Sequence, residues 1–244
     1  MYNYKLVIEY DGKDFNGWQR QKNNSNTIQE KIETACKKFF KHDIKLFGAG
    51  RTDAGVSAYS QVANFKAEEK VDLYRFRYSL NSLLPQAISI KKISFVPDNF
   101  HSRYSAKKRE YIYKVCKEKR SIEGDFFYKI NFDIDFKKTE KFIKLILKQR
   151  TFRSFCKKKE DKHNFYCKIY KFSFKAVKSR DEIIFRITAN RFLHSMVRAI
   201  IGCALETGRG KITITDIKQQ IKRGEKIDTY YLPAKALFLN KIYY

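Results

Sequence analysis

Residues 4–12 read YKLVIEYDG, and this stretch sets the pattern for the whole chain. Tyr4 to Tyr10 alternate around Leu6 and Ile8, the period of a half-buried strand, and Asp11-Gly12 supplies a turn because glycine tolerates positive φ. Outward from this strand, helical and extended patterns interleave. Thr27 opens a helical run with Glu30 three residues on, the spacing of a capping box, and Ile28, Ile32, Ala35, Phe39 and Phe40 fall on one face. A short strand is predicted at Ile44 to Phe47, running into Gly48-Ala49-Gly50, where the chain can turn sharply. Asp72 can cap a second helix carrying Leu73, Phe76, Leu80 and Leu84 until Pro85 stops it, and Ile88 to Val96 reads as a strand.

The second half repeats the alternation. Strands are predicted near Glu110 to Lys117, Phe165 to Val177 and Glu182 to Ala189, with a helix near Thr139 to Lys148. An apolar helix follows from about Arg191 to Glu206, with Gly208 and Gly210 beyond it. A short helix begins near Thr215, and Ala236 to Ile242 closes the chain as a strand. This interleaving predicts an α+β architecture with a mixed, largely antiparallel sheet. No linker rich in Pro, Gly or Ser is present, so two subdomains are expected to share a continuous core. An N-terminal α/β subdomain spans 1–105 and a C-terminal one spans 106–244.

A formal charge of +26, from 52 basic against 26 acidic residues, implies a polyanionic partner, with nucleic acid leading. Lysine bias tempers that inference, since 37 of the cations are Lys. The cations are spread along the chain with only short clusters such as Lys157 to Lys159, which suggests a phosphate-facing surface on a folded body. Apolar and aromatic contents of 43% and 16% exclude a disordered polymer. The absence of a leader-like stretch and of any run of roughly 18 apolar residues predicts a cytoplasmic protein with no membrane partner. Five unclustered cysteines suit reduced thiols, and Cys156, His163 and Cys167 match no common zinc spacing.

Chemistry concentrates in Gly50-Arg51-Thr52-Asp53-Ala54-Gly55-Val56-Ser57-Ala58. A cation and a carboxylate stand two positions apart on a loop bounded by glycines. Arg51 can favour the ionised form of Asp53, and the glycines let a ligand approach the backbone. A carboxylate presented this way can act as nucleophile or base, although an isolated Asp-x-Gly is ordinarily a turn.

The run Gly50 to Val56 resembles the signature of the tRNA pseudouridine synthase A family. Tyr10-Asp11-Gly12, Phe15, Gly17-Trp18-Gln19, Phe100 to Ala106, Arg109-Glu110-Tyr111-Ile112-Tyr113, Phe192 to Arg198 and Pro233-Ala234 resemble further family motifs, in order and across nearly the whole chain. Such an ordered series is specific where any single member would be weak.

The resemblance implies the pseudouridine synthase fold, with two similar subdomains and a central basic cleft. It makes Asp53 the catalytic aspartate, Arg198 its second basic partner beside Arg51, and Tyr111 the aromatic at the target uracil. Breaking the glycosidic bond and rejoining uracil through carbon needs an ionised carboxylate that attacks the sugar, attacks the base or removes a sugar proton, with no metal or redox cofactor. Tyr111 shares a strand face with Tyr113, so its alternative is an ordinary core aromatic. Arg198 stands in an apolar helix and must reach a carboxylate or phosphate. A uridine in a tRNA stem has to leave its stack, and Leu237 is a second wall for it. Arg20, Lys22, Lys107, Lys108, Arg109 and the cluster 150–162 could track phosphates.

Three positions depart from the family pattern, Ser57 for the usual histidine, Ser195 for a frequent histidine or other polar residue, and Ala236 for glycine. Family resemblance further implies a homodimer holding tRNA and modification at positions 38, 39 and 40 of the anticodon arm. A relative shifted to ribosomal RNA, and a catalytically silent RNA-binding module, are the alternatives. Intact Arg51, Asp53, Tyr111 and Arg198 argue against the silent module. Hydrolysis by a carboxylate pair finds no second acidic residue in a recognisable motif.

Overall fold

The computed structural model describes residues 1–22, 26–157, 164–227 and 231–244, with Lys178 by its backbone only. In chain order the elements are β1 (Tyr2–Tyr10), α1 (Ile28–Phe40), β2 (Phe47–Gly48), β3 (Ser57–Ala67), α2 (Leu73–Leu83), β4 (Ile88–Val96), β5 (Lys108–Cys116), β6 (Tyr128–Lys129), α3 (Phe136–Lys148), β7 (Ile169–Val177), β8 (Glu182–Ala189), α4 (Met196–Arg209), α5 (Ile214–Arg223) and β9 (Leu237–Tyr243). The class is α+β. Two compact units emerge, Met1–Lys107 with Phe238–Tyr244, and Lys108–Leu237.

In the first unit β1 lies between β3 and β4, antiparallel to both, with Leu6 opposite Ala63 on one side and Ile93 on the other. β2 adds antiparallel to β3, and β9 adds parallel to it at Ser57 opposite Phe238. Tyr4, Leu6 and Ile8 are fully buried. Tyr4 stacks on Phe65 with ring centroids 5.0 Å apart, and Phe40 of α1 and Phe76 of α2 meet it edge-on. Both helices are capped where the sequence places the cap: Thr27 accepts from Glu30 N and Asp72 from Arg75 N. α2 ends at Leu84, whose backbone is already extended ahead of Pro85.

The structure differs from what the sequence predicts at several places. The ladder at 44–47 shrinks to Phe47–Gly48, because the Leu46 backbone is claimed by α1: Leu46 N donates to Glu33 Oε1 at 3.0 Å, and Gln29 Nε2 donates to Leu46 O at 3.1 Å. β3 escapes a search for alternation because it is buried on both faces and carries polar residues there. Its Asn64 is satisfied by donating to Asn3 Oδ1 and accepting from Ser102 N and Oγ. The last strand, grouped by sequence with the second subdomain, pairs with β3 in the first.

In the second unit β8 lies between β5 and β7, antiparallel to both, and β6 pairs parallel with β5. α3 packs on α4 and β7. A Cβ on Gly208 would stand 2.5 Å from Thr139 Oγ1 and 2.7 Å from Ile134, so this glycine lets α4 approach α3. α4 starts at Met196, later than the apolar run predicts, because Ser195 is left-handed with φ 58° and breaks the helix before it. Among the described residues no helix is long and apolar enough to cross a membrane, and no group of three His, Cys, Asp or Glu could hold a metal. His163 and Lys158 to Lys162 lie outside the described residues.

Candidate active site

The loop carrying Arg51 and Asp53 leaves β2 and enters β3, and the neighbouring turns hold it from several sides. The buried Tyr10 hydroxyl lies 2.8 Å from Thr52 Oγ1. Trp18 N donates to Thr52 O at 3.2 Å, Gly55 N to Phe15 O at 3.3 Å, and Val56 N closes a turn on Asp53 O at 3.2 Å. From β3, the fully buried Gln61 donates to Gly50 O at 3.0 Å. Gly17 combines φ +89° with a position where a Cβ would stand 2.7 Å from Thr52 O, so only glycine lets this turn close on the loop. Gly48 is pressed against the Trp18 indole in the same way. Burial pushes the Tyr10 phenol above its ordinary range, so it acts here as a neutral hydrogen-bonding group.

Asp53 is half-buried within this clamp and Arg51 is exposed. Arg51 Nε donates to Gln19 Oε1 at 3.0 Å, which ties the loop to the segment after Trp18. Arg20 faces α1, 3.5 Å from Glu33 and 3.8 Å from Glu30.

In the second unit β5 places Arg109, Tyr111 and Tyr113 on one face. Tyr113 is the core aromatic, fully buried, its hydroxyl donating to Pro233 O at 2.9 Å. Tyr111 is half-buried, and its ring stands perpendicular to Phe192 at 5.3 Å. Arg109 Nη1 donates to Asn190 O at 2.8 Å. Thus two β5 residues lock onto segment 190–192, which leads into α4 and Arg198. Arg198 is half-buried, its Nε donating to Leu232 O at 2.5 Å. Leu237 is buried at the start of β9. Gln61 and Phe192 are supports whose contacts sequence alone did not indicate. Gln61 belongs to the strand without alternation, and nothing in the run Phe192 to Arg198 marks the ring contact of Phe192.

A family model described as tRNA pseudouridine synthase matches residues 6–105 and 149–244. The chain belongs to this family. It is 38% identical to a tRNA pseudouridine synthase A of Thermodesulfovibrio yellowstonii and 40% identical to one of Dictyoglomus thermophilum, covering all of both proteins and of itself. A tRNA pseudouridine synthase A 2 of Bacillus cereus is 35% identical over 99% of each chain.

Ser57, Ser195 and Ala236, which the sequence resemblance marks as departures, have defined surroundings. Ser57 Oγ accepts from Gly12 N at 3.0 Å and donates to Asp11 Oδ1 at 3.3 Å, so it fastens the first turn to the start of β3, four residues after Asp53. Ser195 forms the left-handed joint before α4. Ala236 is fully buried in the short turn preceding β9. A pseudouridine synthase is an isomerase.

Proposed function

We propose that this synthase converts uridine to pseudouridine in tRNA, at positions 38, 39 and 40 of the anticodon arm. The observation that carries the reading is Asp53: within a chain of this family, the signature carboxylate is half-buried on a loop whose backbone is held by Phe15, Trp18 and Gln61 and whose Thr52 hydroxyl is held by Tyr10. A carboxylate held in place before substrate arrives has already met the cost of ordering. Asp53 is assigned the catalytic role, and Arg51 and Arg198 are assigned as the basic residues of the same reaction. Tyr111 and Leu237 receive the flipped uracil, and Arg20 and Arg109 engage phosphates. In the reaction the bond from ribose C1′ to uracil N1 breaks, one from C1′ to C5 forms, and the C5 proton is lost as N1 gains one, so atoms balance within the substrate. The relatives named as tRNA synthases favour tRNA over ribosomal RNA. A homodimer acting in the cytoplasm completes the reading.

Unmodified tRNA and ribosomal RNA transcripts, incubated with the purified protein and mapped for pseudouridine at each nucleotide, test it. Product confined to positions 38–40 of tRNA is expected. Product in ribosomal RNA alone, or none in either, overturns it.

A further inference from the structure

Within the second unit, α3 and the turn from α4 into α5 enclose an open groove of about 570 Å³. Its shape follows from Gly208, which brings α4 against α3, and from Gly210, whose φ of +85° ends α4 and turns the chain toward α5. Leu145, Ile212 and Ile214 form a half-exposed apolar floor. Five exposed lysines rim it: Lys138, Lys141, Lys144 and Lys148 from α3, and Lys218 from α5.

No acidic residue lines the groove, and among the described residues none of the five ammonium groups is in an ion pair. Elsewhere lysines do pair, as Lys37 with Asp43 at 2.9 Å and Lys91 with Glu9 at 3.0 Å. Glu206 on α4 is engaged by Arg209 and Lys211, and Asp216 by the Thr213 cap. Concentrated like charge of this kind favours an anionic occupant.

The form of the cationic rim selects the class of anion. From Lys138 to Lys148 the helix rises about 15 Å, a row too long for one small anion and suited to successive phosphates of a strand. Lysines act as point charges without the fork that reads an edge, so they grip a backbone without reading sequence. The geometry points to an RNA-backbone docking groove, formed by α3, the end of α4 and α5, that holds a tRNA segment other than the target uridine. It rests on the tRNA reading above, and its apolar floor receives ribose or an unstacked base edge. α3 lies between the two stretches that the family model matches, so that match does not assign the groove.

The test compares the full chain with K141Q/K144Q/K218Q and with K38Q/K92Q/K119Q, three exposed lysines elsewhere, for binding to full-length tRNA transcript across a salt series. Groove substitution is expected to weaken binding about tenfold or more and to flatten the log–log salt slope by about 2, from about 0.7 per lost phosphate contact. The control triple should change neither by more than a small fraction of that. Unchanged binding in the groove variant, or equal losses in both, overturns the proposal. Anionic vesicles or inorganic polyphosphate captured by the groove, with tRNA affinity unmoved by its substitution, also overturn it. If the unaltered protein makes no pseudouridine in tRNA, it is the substrate reading that fails, which that control reports separately.

Discussion

The Tyr10 hydroxyl and the Thr52 hydroxyl lie 2.8 Å apart in the buried interior, joining the end of β1 to the residue before Asp53. Tyr10→Phe keeps the ring and removes this bond, leaving Thr52 without that partner. A stability loss of about 1 kcal/mol is expected, a Tm fall of roughly 2–4 °C for a chain of this size. Because the bond positions the loop without touching substrate, kcat should fall while KM for tRNA stays near its original value. An unchanged kcat at saturating tRNA would show that the loop holds its conformation without Tyr10.

Gly17 packs on the same Thr52 from its carbonyl side. Gly17→Ala introduces a side chain at φ +89°, 2.7 Å from Thr52 O. Left-handed strain of about 1–2 kcal/mol and overpacking of about 1–3 kcal/mol act together. The variant should lose several kcal/mol in urea unfolding and most of its turnover. Near-wild-type stability would mean that the turn is free to move away from the loop.

Asp53→Asn preserves shape and removes the charge. Pseudouridine formation should fall by on the order of 10⁴-fold, the scale seen when a catalytic carboxylate is neutralised, while tRNA affinity is largely retained. Product accumulating at a comparable rate in the variant would refute the role assigned to Asp53.

Much of this was legible in the sequence because local signals agreed with tertiary demands. Thr27 and Asp72 cap where their spacing says they should, and Pro85 ends α2. β3 was not legible: its burial on both faces erases the two-residue period, and Gln61 and Asn64 look like surface residues until their partners are known. Periodicity cannot report the left-handed Ser195, so the apolar run extends beyond the true start of α4. For the site, the motifs Tyr10-Asp11-Gly12 and Gly17-Trp18-Gln19 were visible as words, but their physical sense required the fold: they are the clamp on the loop of Asp53. The bond from Arg51 Nε to Gln19 Oε1 likewise carries no signal in the spacing of the two residues.

Cys36 and Cys203 provide a pH-dependent test of the two cores. Burial pushes both thiols from 9.0 up to about 12, so the folded state holds them neutral. A raised folded value means the contribution is complete below pH 9, where the unfolded thiol is also protonated, and is lost as pH rises toward 12. The loss is about 1.4 kcal/mol per pH unit for each thiol across that window. Urea midpoints measured from pH 8 to 10.5 should therefore fall less steeply for Cys36→Ala and Cys203→Ala than for the parent. At pH 8 a thiol with a value of 12 is about 10⁻⁴ thiolate, so iodoacetamide should leave both unlabelled until the chain is unfolded. Rapid labelling of either cysteine in the native protein would show that its core opens to solvent.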